Sequence, residues 1–449
     1  MAIQPPLRLP GGVFYGWVIV AVSFWGNWIT APLNPVVFSI FIVPIRQDLG
    51  VTLGTLAWCI TFRQISAGIS APFLGRFVDK YGPRWVGVIC AAWAGSCLIA
   101  LSQVTNIWMM YSVFFISGFS GFGVFGGGQI LTGVPPANWF IVKRGRAVSY
   151  AQMGGGLGTA SWVVISSVLV TTIGWRNAWL MNGLLIAGTL IPMYGFLMRR
   201  RPEDVGLYPD GADAPVIDVA AARPIGTSQP AKAAGPVEVN FTLREATRTW
   251  ALWLITIAFM FHTFATNGVL FLRVPFWQSL GVAAPLIGLA VASDPFVVML
   301  CTLLFGYMAE RVPVRLITAS GGAWRALSMV PLLLGRAGGS WVFGHNIIWG
   351  IGSAGMGTGQ NLVIPAYFGR VSQGAIRGYT APIMIGAGAL SAPLVGFLSD
   401  AGVPPTLIFS IAGVMMAIAG GIFLFVQPPA PPVRTEAAQA AAEAAARAS

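Results

Sequence analysis

Long apolar stretches alternate with short polar breaks along almost the whole chain. Crossing a bilayer takes about 20 mostly apolar residues as helix, because every backbone amide must find its partner within the segment. Such runs predict twelve spans, near 14–37, 53–75, 85–103, 107–134, 147–171, 177–198, 250–272, 284–307, 315–335, 341–365, 378–399 and 405–426. The predicted fold class is all-α membrane, with twelve transmembrane helices in two six-helix bundles. The predicted domains are an N-terminal bundle over 1–198, a cytoplasmic linker over 199–249, a C-terminal bundle over 250–427 and a disordered cytoplasmic tail over 428–449. The linker is rich in Pro, Ala, Gly and acids and has little to bury.

Charge sets the orientation of this map, since Lys and Arg in short loops stay on the cytoplasmic side. Of 26 such residues, only Arg46, Arg176 and Arg336 fall in outer loops, and Arg63, Arg273 and Arg325 lie within or at the end of helices. The others share the side that holds both termini. The expected location is the inner (plasma) membrane, multi-pass, with both termini cytoplasmic. The apolar run from Tyr15 is too long for a signal peptide and lacks its cleavage site, so it is read as a lasting helix.

Composition removes several function classes. With 56% hydrophobic and 9% charged residues, the chain cannot cover itself with a water-soluble surface, which takes roughly a quarter charged residues. The formal charge of +12 does not indicate nucleic acid, because the basic residues are scattered between apolar runs. Cys59, Cys90, Cys97 and Cys301 lie unpaired in apolar runs and read as packing residues. No cofactor or metal is expected, and the helices show no paired carboxylates or nucleophile with a base, so no enzyme is expected. The absence of a phosphate-binding loop argues against nucleotide-driven pumping.

A shift of 231 positions reveals an internal repeat. Gly75, Asp79, Lys80 and Arg84 fall on Gly306, Glu310, Arg311 and Arg315, and Gln129 falls on Gln360 amid matching glycines. Arg146 likewise falls on Arg377. Parallel repeats of this kind place a binding site at their interface near the bilayer midplane.

The segment Gly75-Arg76-Phe77-Val78-Asp79-Lys80-Tyr81-Gly82-Pro83-Arg84 resembles the signature loop of the major facilitator superfamily. That resemblance implies a cytoplasmic latch formed by Asp79, Lys80 and Arg84, with Glu310, Arg311 and Arg315 as the repeat's gating counterparts. The loop Asn138 to Ala147 and the linker start Arg201 to Gly211 are similar to signatures of the monocarboxylate and oxalate/formate branch. There are departures. Span eleven has no Lys or Arg, so the cation of oxalate/formate exchangers is missing, and Val298 stands four residues after Asp294 where monocarboxylate carriers complete an Asp-Arg pair. Span four has no arginine and span five no Gly-Pro step, which lowers the resemblance to drug/proton antiporters.

Charges inside the bilayer cost about 2.5–3.5 kcal/mol each at a helix centre and so demand partners or a function. Arg63 lies twelve residues before Gly75, roughly 18 Å above the helix end, which puts it near the midplane. It is expected to bind a substrate carboxylate, or else to be bonded to backbone carbonyls. Asp294 holds the equivalent place in the repeat and is the proton-coupling candidate, with Arg325 at similar depth either as its fixed ion-pair partner or as a partner that separates during transport. His262, Asn267 and Asn27 are further substrate-site candidates, with Asn34 weaker. Gln129 and Gln360 are expected along the translocation path or as helix ties, and His345 has no assigned role.

The sequence thus predicts a secondary transporter of a small organic anion, a monocarboxylate, coupled to protons and working by alternating access. Its expected partners are that anion, protons and the lipid bilayer, without nucleic acid, and its expected state is a monomer. Efflux of apolar or cationic compounds, and a receptor or sensor on the same fold without net flux, stay open as alternatives.

Overall fold

The computed structural model describes residues 14–122, 128–212, 217–218, 237–335 and 339–432. Helix α1 (Gly16–Ile29) gives way to a 3-10 turn at Ala31–Leu33, after which α2 (Pro35–Leu49) carries the chain on. Asn34 divides them by accepting from the Val36 amide, and Pro35 takes the first helical position, where a missing N–H costs nothing. The first span, expected unbroken, is therefore interrupted.

Helices α3 (Leu53–Tyr81) and α4 (Pro83–Ser102) follow, and the fourth expected span is split into α5 (Ile107–Gly118) and α6 (Gly128–Trp139). The fifth and sixth spans form one element, α7 (Arg144–Pro192), that turns at Gly174 without a loop. Gly174 has φ 79° and ψ 162°, a backbone geometry open to glycine and strained for other residues. In the linker, Ile217–Asp218 pairs in parallel with Val237–Glu238, a small exception to the helical architecture, and α8 (Leu243–Thr247) begins with a Thr242–Glu245 capping box.

The second half comprises α9 (Trp250–Ser279), α10 (Ala284–Met308), α11 (Val314–Leu327), α12 (Met329–Leu334), α13 (Trp341–Phe368), α14 (Gln373–Asp400) and α15 (Pro405–Phe425). Helix α9 continues past the expected end at residue 272, so Arg273 lies inside it and is buried. Among the described residues six helices are long and apolar enough to cross a membrane on their own, one of them the doubled element around Gly174. The larger apolar clusters divide by halves. One runs from Tyr15 to Val205 and three lie within residues 241–426, while two small ones, around Ala71 and Ala137, bridge the halves. Trp58, Phe73, Leu300 and Phe425 stay exposed on the outside, as suits a surface that meets lipid.

The halves touch along two seams, α3 against α14 and α7 against α10. A side chain on Gly75 would collide with the Gly374 carbonyl, and one on Gly306 with Ser149 and the Gly145 carbonyl. The repeat sets Gly75 on Gly306, so each seam is built on the same repeated small residue. Tyr15 Oη donates to Leu197 O and Tyr367 Oη to Val426 O, which brings both described ends to the face that carries the linker.

Candidate functional site

On this linker face the repeated acids join the halves. Asp79 accepts from the Gly374 and Ala375 amides (3.0 and 2.6 Å) at the first turn of α14, where exposed N–H groups favour an anion. Glu310 accepts from the Arg146 amide and Nε at 3.2 and 2.9 Å. The basic members of the expected latch have other contacts. Arg84 donates from Nε to Gly195 O within the first half, Lys80 and Arg311 lie beside Tyr81 and Tyr307, and Arg315 lines a surface hollow with Tyr367.

The linker adds joints of its own. Glu238 Oε1 lies 2.6 Å from Arg144 Nη2, and its Oε2 lies 3.0 Å from Arg370 Nε. Arg370 also pairs with Glu203 and donates to Asn138 O. Burial alone would lower the pKa of this guanidinium, but Glu203 and Glu238 overcome that and hold it above its ordinary value. Asp210 accepts from the amides of Ile141, Val142 and Lys143, so it caps the loop ahead of α7.

Beyond these joints lies a cavity of about 410 Å³ lined by both halves, with Asn27, Asn34 and Gln152 on one wall and Asp294, Arg325 and Trp349 on the other. Arg325 is 4% exposed and lies over Trp349, with Cζ 3.6 Å from the ring centroid. Its Nε and Nη1 have no hydrogen-bond partner. The expected Asp294–Arg325 ion pair is not formed. Asp294 Oδ2 pairs instead with Arg273 Nη2 at 3.5 Å, because the longer α9 carries that arginine to the same depth. Asn346 holds the other side of Arg273 at 3.0 Å, and Asp294 Oδ1 is buried without a partner.

Other candidates are dispersed. Arg63 donates to Leu33 O and Phe122 O, the carbonyls at the breaks after α1 and α5, and walls a separate hollow of about 20 Å³. It is absent from the lining of the central cavity. Asn27 does line the cavity, donating to Ala151 O and accepting from Thr132. His262 has a buried, unpartnered Nδ1 within electrostatic reach of Arg325, and Asn267 faces Gly388 of α14; neither lines the cavity. Gln360 sits in a hollow of about 40 Å³ beside Met384 and Arg377. The side chain of Gln129 lies outside the described residues. His345 bonds through Nδ1 to Ser328 O and packs between Trp277 and Trp349.

Trp349, Gln152, Arg273 and Glu238 escaped the sequence reading. Arg273 had a signal, a cation at a helix boundary, while the tryptophan looked like any membrane aromatic.

The sequence profile of the Major Facilitator Superfamily matches residues 16–279. The oxalate:formate antiporter of Oxalobacter formigenes is 25% identical over 280 residues, 61% of this chain and 59% of that protein. The niacin transporter NiaP of Acinetobacter baylyi is 23% identical, over 57% of this chain and 58% of that protein. Human monocarboxylate transporter 14 is 23% identical, over 45% and 39%. The chain therefore spans less than two thirds of the length of these relatives. The crystal structure of the human organic anion transporter MFSD10 (TETRAN) superposes with a TM-score of 0.65 at 13% identity, covering 91% of this chain and 99% of that one, a likeness of fold.

Proposed function

We propose that this chain, which belongs to the Major Facilitator Superfamily, is a secondary carrier of a small organic monoanion, a monocarboxylate, taken up with a proton by alternating access. The observation that carries the reading is Arg325, a buried guanidinium in the cavity wall with two unmatched donor nitrogens. A carboxylate supplies both the charge and the paired acceptors that a guanidinium presents donors to. The charge balance supports a single negative charge, since Arg273 and Asp294 offset each other and Arg325 is left over. A cationic load would meet that surplus as repulsion. Oxalate, formate, monocarboxylates and niacin, named in the relatives, all bear carboxyl groups, which supports the same class.

Asp294 is the proton carrier in this reading. Its free Oδ1 is where the proton would sit, and protonation weakens the hold of Oδ2 on Arg273. The state with the linker face shut is then one end of the transport cycle, and parting of the seams at Gly75 and Gly306 leads to the other.

The test is counterflow in proteoliposomes with labelled lactate, pyruvate and formate. Exchange of at least one, blocked by unlabelled carboxylates, indifferent to a lipophilic cation and lost in Arg325→Gln, is the expected result. Exchange that survives Arg325→Gln, or that only the cation inhibits, would overturn the reading.

A further inference from the structure

Arg144 and Arg370 come from opposite halves of the protein, and each is 8% exposed. Between them sits Glu238, 7% exposed, with one carboxylate oxygen on each guanidinium. Each arginine also reaches across the seam, Arg144 Nη1 to Pro365 O at 3.1 Å and Arg370 Nη1 to Asn138 O at 3.0 Å. The two therefore lie where the halves must part when the linker face opens.

Glu238 is delivered to this cradle on a tether. Asn240 accepts from the Arg370 and Val371 amides, and Phe241 N donates to Phe368 O, so the segment is moored to the turn between α13 and α14. Its grip on the first half is the Arg144 pair. Take Glu238 away and Arg370 keeps Glu203, but Arg144 keeps, among the described residues, the carbonyls of Ala137, Phe140 and Pro365. A buried cation left with neutral acceptors draws in another anion.

The cradle also lies in line with the cavity. Asn361 lines the cavity and accepts from Arg377, which stands within electrostatic reach of Arg144. Arg325 lines the cavity, Arg377 reaches its lining through Asn361, and Arg144 lies within reach of Arg377, so these cations favour anions along the seam.

We propose that Arg144 and Arg370 form a second carboxylate site, filled by the tethered Glu238 and, when Glu238 is withdrawn, by the carried monocarboxylate, either of which bridges the two halves and holds the linker face shut. This rests on the anion reading given above for its second occupant, but the role of Glu238 as a tethered closing group does not depend on what is carried. The ligand class is a single carboxylate, since each of the two guanidiniums takes one oxygen.

The experiment uses the full chain with its four native cysteines replaced by alanine and a reporter introduced as Leu362→Cys. Leu362 is 2% exposed and packs against Ala137 and Val148 across the seam. Labelling by a soluble maleimide in detergent reads opening of the linker face without any flux. Glu238→Gln should speed labelling about tenfold, the factor expected for one charged hydrogen bond lost, and Glu238→Asp should fall between. Millimolar pyruvate should slow it again in Glu238→Gln, and in Glu238→Gln with Arg325→Gln, but not in Glu238→Gln with Arg144→Gln. Equal labelling in the wild type and both Glu238 variants would refute the closing role, with Glu238→Asp covering the case in which Glu238→Gln fails to fold. Indifference to pyruvate would refute the anion site. Absence of carboxylate exchange by the wild type, with these labelling effects intact, would count against the proposed function alone.

Discussion

Asp294 and Arg273 share a buried ion pair across 3.5 Å, and this pairing leaves Arg325 over Trp349 without an acid of its own. The second half of the protein thus holds one neutralised pair and one surplus cation in the same wall. Two consequences concern stability as well as transport.

Arg325 has two buried donor nitrogens without acceptors, each costing roughly 1–3 kcal/mol. Set against the contact with Trp349, worth about 2 kcal/mol, Arg325→Met should leave the fold equally stable or up to about 4 kcal/mol more stable, while abolishing counterflow. Thermal unfolding followed by tryptophan fluorescence, beside the exchange assay, measures both. A destabilised Arg325→Met would mean that the guanidinium has structural partners after all.

Asp294→Asn keeps the shape and removes the charge, so gradient-driven accumulation should vanish while counterflow persists. Asp294→Leu should destabilise by roughly 3–5 kcal/mol, because it abandons Arg273 as an uncompensated buried cation. Accumulation in Asp294→Asn at the wild-type level under an imposed pH gradient would remove this residue as the coupling site.

At the seams, Gly75→Ala puts a methyl group against the Gly374 carbonyl and should bias the protein toward an open linker face. Faster maleimide labelling of Leu362→Cys is the readout. Gly421→Ala, at a site with nothing close to the new carbon, should label at the wild-type rate.

Asp79→Asn and Glu310→Gln weaken one joint each, on different seams. Each should favour opening by about 1.5–3 kcal/mol, the worth of hydrogen bonds to a charged group. Because both act on the same equilibrium from separate places, their effects on it should multiply in the double variant. A double variant no more open than either single one would show that one seam alone holds the face shut.

Much of this was legible in the chain. Hydropathy located the spans, since an apolar run of that length has few other homes, and the repeat marked Asp79 and Glu310 as counterparts, each of which accepts hydrogen bonds from the opposite half. Charge partners were less legible. Whether Asp294 meets Arg325 or Arg273 depends on where α9 ends and how the helices are rotated, and neither is written in hydropathy. The breaks near Leu33 and Gly118 were hidden because an interrupted helix keeps the apolar composition of a continuous one. Glu238 was lost in a linker whose composition looks featureless, although one carboxylate there bonds both halves.

Arg63 has a consequence for how the protein is made. Two of its guanidinium nitrogens are met by the carbonyls of Leu33 and Phe122, and the second of these emerges from the ribosome about sixty residues after it. Until then the second span enters the bilayer with a half-solvated cation, at a cost of about 2.5–3.5 kcal/mol. The first four spans accordingly have reason to leave the insertion machinery together rather than one by one.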